Sequence, residues 1–159
     1  MDTYPLRVIA FVKAQQIFEG WYTPGQIVDG IEYPKGSITF QNNNPAAIRF
    51  SGWQTSAIPD GLGCLGLGVG GNYGKYATVQ DGMNAGCQFL MDVIKNELIP
   101  YRNQAKLWKL PDSGSLSIAQ YFQIYAPGNV DKNHPVNYAK FVADKVGVPV
   151  ETPLRNLLC

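Results

Sequence analysis

The sequence carries almost no surplus charge of either sign. Thirteen Lys and Arg stand against twelve Asp and Glu, a formal charge of +1, and no basic patch stands out, which removes the electrostatic footprint of a nucleic-acid binder. Histidine is nearly missing as well, with His134 alone. The three cysteines, Cys64, Cys87 and Cys159, are an odd number with no C-x-x-C spacing. A Cys/His zinc site is therefore not expected, and free thiols made in a reducing compartment are. No apolar run approaches transmembrane length, so no membrane is expected as a partner. Residues 1–12 hold a single Arg and no small-residue cleavage site after an adequate apolar run, which reads as synthesis in the cytoplasm without a signal peptide. Internal repeats, linkers and low-complexity segments are lacking apart from a glycine-rich stretch at residues 61–71.

What is present is globular. A chain of 159 residues with 45% hydrophobic and 16% charged residues is the size of one domain, residues 1–159, with a single core. Aromatics reach 12%, nine of them tyrosine. Tyrosine and tryptophan present flat apolar faces with a polar tip, which suits sugar rings as well as cores.

Along the chain, Thr3 before Tyr4-Pro5 reads as a helix start. Leu6, Val8, Ile9, Phe11, Val12, Ile17 and Phe18 make the next helix apolar over most of its surface, as expected of a central, buried one. It should stop near Gly20. Turn signals at Pro24-Gly25, Asp29-Gly30, Pro34-Lys35-Gly36 and Pro59-Asp60 then separate short pieces such as Ile38-Thr39-Phe40 and Ile48-Arg49-Phe50, which predicts loops with one or two short strands. Residues 61–71 read as a flexible loop and residues 73–79 as a strand or loop. Thr78 and Asp81 resemble a capping box before an amphipathic helix carrying Met83, Cys87, Leu90, Ile94 and Leu98. A short helical piece is expected around residues 105–110. Ser117 caps a helix with Ile118, Tyr121, Phe122 and Tyr125; Asn133 and Pro135 open another that Gly147 stops; Pro153 starts a last turn. The predicted class is mainly α, or α+β, with a small irregular or β element after the first helix.

Four constellations carry possible chemistry. Ile17-Phe18-Glu19-Gly20-Trp21 sets one carboxylate at the end of an apolar helix, beside aromatic residues. There its charged form is disfavoured, and the negative end of the helix dipole acts in the same sense, as a general acid requires. The bland alternative is a solvated helix-end glutamate. Asn42-Asn43-Asn44-Pro45 is either a cluster of amides able to hold hydroxyl and acetamido groups or simply a turn. Gly61-Leu62-Gly63-Cys64-Leu65-Gly66 matches G-x-G-x-x-G, with Asp81 twenty positions after Gly61, but a turn precedes it and more glycine succeeds it. A dinucleotide site needs a strand before and a helix within, so no cofactor is expected. Cys87 reads as a core thiol and His134 as a helix-start residue; paired, they would suggest a cysteine nucleophile.

Phe18-Glu19-Gly20-Trp21, Asn42-Asn43-Asn44-Pro45-Ala46-Ala47-Ile48-Arg49, Tyr76-Ala77 with Asp81-Gly82 and Ala85-Gly86, and Tyr125-Ala126-Pro127 with Asn129 together resemble the phage and prophage lysozyme-like proteins, a family that includes endolysins and virion-associated enzymes. The resemblance spans the first helix to about Val148. It implies a lysozyme-like, mostly helical fold similar to the lytic transglycosylases, with bacterial peptidoglycan as partner and substrate. It implies other virion proteins as partners of a virion-borne form. It implies synthesis in a bacterial cytoplasm and delivery with the virion or by release to the cell wall. The family's acid falls on Glu19, its asparagine segment on Asn43 and Asn44, and its aromatic before proline on Tyr125; Trp21 and Tyr73 join them as substrate-binding candidates. Where the family has glycine and asparagine, this chain has Ala46 and Ala47.

A glycosidase ordinarily uses two carboxylates flanking the bond. Asp29 is the candidate for the second, with Glu32 near it in sequence; Asp81 is explained by capping. If Glu19 acts alone, the resemblance implies cyclisation to a 1,6-anhydro sugar, with Tyr125 or Tyr73 orienting the carboxyl or the acetamido group. If Asp29 positions a water, the outcome is hydrolysis. A virion structural or glycan-binding module without catalysis is the alternative from another class, and a cysteine peptidase using Cys87 and His134 a third.

Overall fold

A computed structural model describes residues 4–50, 63–128 and 134–159. Thr3, the Pro59-Asp60 turn, Gly61-Leu62, Asn129 and Asn133 lie outside the described residues. The chain is mainly helical with short antiparallel strands. Its contacts divide into two compact units, one formed by Met1–Ala14 with Gln88–Cys159 and the other by Gln15–Cys87.

Helix α1 is Leu6–Glu19. Val8, Phe11, Val12, Ala14 and Gln15 are buried along it, whereas Leu6 and Ile17 are exposed. The helix is therefore buried on one face rather than all round. Gly20 ends it with φ +87°, and a Cβ there would sit 3.0 Å from the Tyr22 ring, so glycine is required by both backbone and space.

In the unit Gln15–Cys87, strands β1 (Gln26–Val28) and β2 (Ile31–Tyr33) pair antiparallel with Val28 opposite Ile31. Asp29 and Gly30 between them both have positive φ, +50° and +77°, the backbone of a type I′ turn that Asp-Gly favours. This hairpin is the small β element after the first helix. Ile38-Thr39-Phe40, expected as an extended piece, belongs to a one-turn helix, α2 (Ile38–Gln41). Ser37 reverses the β-branched preference by accepting from the Phe40 N–H, satisfying an amide that an extended chain would leave to a partner strand. Residues 64–67 of the glycine-rich stretch, expected as a flexible loop, form a strand. Strand β3 (Cys64–Leu67) pairs with β4 (Gly74–Tyr76), with a register shift between Cys64 and Gly66 where Gly66 takes φ +105°. Leu65 and Leu67 on β3 and Ile27 and Ile31 on the first hairpin are exposed.

Helix α3, Val79–Ile94, begins where Thr78 Oγ1 accepts from the Asp81 N–H at 3.1 Å. Ala85, Cys87, Leu90, Val93 and Ile94 are its buried residues; Leu98, expected on the same stripe, falls beyond its end.

In the unit completed by residues 88–159, α4 (Ile99–Leu107) starts earlier than expected because Pro100 fits its first turn. A single 3₁₀ turn, Ser113–Ser115, leads to α5 (Ile118–Tyr125). Ser117 caps α5 as predicted, with the reciprocal Gln120 bond completing a capping box. Helix α6 (Pro135–Val146) ends at Gly147, φ +84°, and a 3₁₀ helix, Leu154–Leu158, closes the chain. The core here is aromatic. Phe11 stacks on Phe122 at 5.6 Å and meets Tyr121 edge-on at 5.7 Å; Phe122 stacks on Tyr138 at 4.2 Å. Burial pushes the Tyr101 and Tyr121 hydroxyls well above the usual tyrosine range, so both remain protonated. At the surface, burial opposes ionisation of Asp112, but hydrogen bonds from Ser115 and the Arg155 guanidinium, 2.6 Å away, outweigh it and lower its pKa.

Asp92 on α3 is pushed above the usual carboxylate range by burial, reinforced by Glu97 and opposed by the amide of Gln88 at 2.7 Å. An acid whose pKa rises on folding favours the folded state when protonated, and that contribution is lost as pH rises through the folded value. Asp92→Asn, which keeps the acceptor for Gln88 without the charge, should therefore melt higher than the parent at pH 7. The advantage should vanish below a pH of about 4, where an unfolded aspartate is itself protonated. Melting curves across that range check this, and a pH-independent gain would overturn the burial explanation.

Candidate functional site

Glu19 is the last residue of α1 and is half-buried. The three residues after it are held firmly. Gly20 is buried, and its carbonyl accepts from Thr39 Oγ1 at 2.8 Å. Thr39 Oγ1 also meets Ser37 Oγ at 2.9 Å. Ser37 Oγ accepts from the Tyr22 N–H at 3.0 Å while the Ser37 N–H donates to the Tyr22 carbonyl at 2.9 Å. Residues 20–22 are thus bound to the start of α2 by both backbone and side chain. Trp21, half-buried between these anchors, meets Phe40 edge-on at 5.5 Å.

The asparagine segment is joined to the same frame, because the Thr39 carbonyl accepts from the Asn44 N–H at 2.9 Å. One buried threonine therefore touches both the residue after Glu19 and the asparagine run. The amides of that run are turned inward. Asn44 is 0% exposed; its Nδ2 donates to the carbonyls of Ile48 (2.9 Å) and Gly74 (3.0 Å), and its Oδ1 accepts from the Ile48 N–H (2.9 Å). Asn42, equally buried, exchanges two bonds with Val69, at 2.9 and 2.8 Å, and its carbonyl accepts from the Tyr76 N–H at 2.8 Å. Asn43 takes φ +49° and donates to the Tyr76 carbonyl at 3.0 Å. Both amide hydrogens of Asn44 are engaged and no part of it reaches solvent, so its place is that of a backbone clamp instead of a direct contact with a sugar. Asn43 is half-exposed and is the one of the pair that a ligand can reach.

Three of the four segments quoted from the sequence, all but Tyr125-Ala126-Pro127, lie in this unit. Asn42 and Asn43 bind Tyr76, Asn43 faces Gly82, and Ala46 and Ala85 are buried in the same unit. A Cβ on Gly82 would collide with the Asn43 carbonyl oxygen, so the Asp81-Gly82 helix start needs glycine for close approach and not for flexibility. Ala47 lies in a strained stretch of backbone. Ala47 adopts φ +54°, a region in which asparagine is tolerated and alanine is strained.

The remaining predicted residues are dispersed. Tyr73 is half-buried, bridged to Arg49, and carries the Arg49 guanidinium 5.5 Å from its ring centre. Asp29 lies exposed in the type I′ turn, where its backbone conformation explains its presence, and Glu32 is exposed on β2. Tyr125 belongs to the other unit, half-buried among Phe89, Tyr121, Phe122 and Tyr138. Cys87 is buried at 1% exposure, as a core thiol would be, and His134 is an exposed helix-start residue without a capping bond from its side chain. Among the described residues no group of three or more His, Cys, Asp or Glu is disposed to hold a metal ion, and no helix is long and apolar enough to cross a membrane. An open groove along α6, lined by Lys140, Phe141, Asp144 and Val150 among others, contains none of the predicted residues. Ser37 and Thr39 were not among the residues singled out from the sequence. Only Ser37, a hydroxyl directly after the Gly36 turn, gave a local signal.

No protein-family model, curated protein or solved structure matches the chain.

Two substitutions probe this frame. Thr39→Val keeps the shape but leaves the buried Gly20 carbonyl without its donor, and should cost about 1–3 kcal/mol; a loss below a few tenths in urea melts would rule Thr39 out as the anchor of Gly20. Ala47→Asn should stabilise by about 1 kcal/mol by relieving the left-handed strain, read in the same melts, and a destabilised variant would contradict it.

Proposed function

We propose that this protein cleaves the glycan strands of bacterial peptidoglycan on a lysozyme-like fold, with Glu19 as general acid and then base. The observation that carries the reading is the frame around Glu19. A half-buried carboxyl ends an apolar helix, the next residue is locked through Thr39 to the asparagine segment, and an aromatic ring, Trp21, lies two positions away. General-acid catalysis needs a proton donor held in place, and this frame fixes the backbone that follows Glu19. Asn43, Trp21 and Tyr73 are the groups proposed to touch sugar; Asn44 holds the backbone beneath them. Tyr125, in the other unit, is accounted for by its packing against Phe89, Tyr121, Phe122 and Tyr138.

Asp29 is accounted for by its turn, which favours a mechanism with one carboxyl. Glu19 gives its proton to the glycosidic oxygen as the C1–O4 bond breaks. The resulting carboxylate then takes the proton of the sugar's own 6-hydroxyl as O6 bonds to C1. The product is a 1,6-anhydro sugar, and no water is consumed. The hydrolytic route would need Asp29 to hold a water and would release a hydrated reducing end. Synthesis in a bacterial cytoplasm and action on the wall, from a virion with its other proteins or after release from the cell, belong to the same proposal.

A second reading has an observation in its favour. The inward amides of Asn42 and Asn44 and the alanines at 46 and 47 leave few polar groups for substrate, as expected of a glycan-binding or virion structural module that does not cleave. Mass spectrometry of soluble fragments from purified peptidoglycan separates the two. The wild type should release anhydro-muropeptides, one water lighter than hydrolysis products, and Glu19→Gln should reduce release by about 10²–10⁴-fold. Cleavage that survives the substitution would remove Glu19 from the mechanism. Sedimentation with insoluble wall material without any fragments would support the module.

A further inference from the structure

Gln15 lies one helical turn before Glu19 on α1, on the same face, where side chains four residues apart are neighbours at about 5–6 Å between Cβ atoms. It is 2% exposed, and its Nε2 is fully buried with no hydrogen-bond partner among the described residues. Buried donors are nearly always satisfied, and one that is not calls for an explanation. Along α1 its buried neighbours in sequence are Phe11, Val12 and Ala14, where leucine or methionine would fill the space without any unsatisfied donor. This buried amide stands within one turn of the carboxyl assigned to proton transfer.

We infer that Gln15 is a positioning residue for Glu19: its Nε2–H donates to the Glu19 carboxylate once that group has released its proton. The inference rests on the proposed role of Glu19 and deepens it. The proton passes from Glu19 to the departing sugar oxygen, a negative charge is left on a half-buried carboxylate, and the waiting donor binds it more strongly than it binds the neutral acid. The bond also holds the carboxylate for the return proton from the 6-hydroxyl. Gln15 forms and breaks no covalent bond.

Two measurements test this. In the intact wild-type protein, the side-chain amide proton resonances of Gln15 should move as Glu19 ionises, and should stay fixed over the same range in Glu19→Gln. In Gln15→Met, a near match in size, kcat on peptidoglycan should fall about tenfold with KM unchanged, while the melting temperature holds or rises because an unsatisfied donor has been removed. A merely structural Gln15 would show the opposite, a lowered melting temperature with kcat intact, and that result would overturn the inference. So would amide resonances indifferent to Glu19. If Gln15→Met does not fold, or no protein cleaves the wall, the resonances decide alone. Coupled resonances without cleavage would uphold the Gln15–Glu19 pair while refuting the catalytic reading.

Discussion

Two-stranded antiparallel pairs of three or four residues are too short to hold themselves in water, and β3–β4 is such a pair. Asparagine amides provide what the strands lack. Asn44 binds Gly74 on β4 and Ile48 ahead of β3, and Asn42 binds Val69 in the turn and Tyr76 on β4. Both side chains are buried, where an amide bond is stronger than in water and an unpaired one is costly. Replacing either would leave several backbone groups without partners at once. The hairpin, the end of α2 and the start of α3 depend on this cluster.

The same cluster fixes what lies around Glu19. Thr39 receives the Asn44 N–H on its carbonyl and gives its hydroxyl to Gly20, so the order imposed by the asparagines passes through two hydrogen bonds to the end of α1. Gly82 lets α3 approach the Asn43 carbonyl, and Gly20 lets the chain turn out of α1 beside the Tyr22 ring. Glycine serves close packing at both positions. The strain at Ala47 is what remains after the clamp has set the path of the chain.

The other unit is held differently. Phe11, Tyr121, Phe122 and Tyr138 stack and meet edge-on, an arrangement that adds ring quadrupole attraction to the burial of large apolar area. Tyr125 joins the rim of that stack. Its position before Ala126-Pro127 is therefore explained by packing whether or not it meets a sugar.

The sequence by itself determined the features whose causes lie within a few residues. The end of α1 at Gly20, the Asp29-Gly30 turn, the Ser117 capping box, the amphipathic stripe of α3 and the Gly147 stop all arise from local backbone and capping chemistry, as does the mainly helical class with a β element after the first helix. Only the tertiary structure decided that residues 38–40 coil instead of extending, that part of the glycine-rich stretch pairs as β3, and that Asn44 is fully buried while Asn43 is half-exposed. It also decided that Thr39 joins Gly20 to Asn44. The asparagine and Thr39 bonds depend on partners far along the chain, about thirty residues away for the Asn44–Gly74 bond, and neither propensity nor periodicity carries information about a hydrogen bond of that span. The end of α1 at residue 19 was legible because Gly20 stops the helix; what holds the residues after it was not, because hydroxyl and amide side chains look alike in a sequence whether they face water or the backbone.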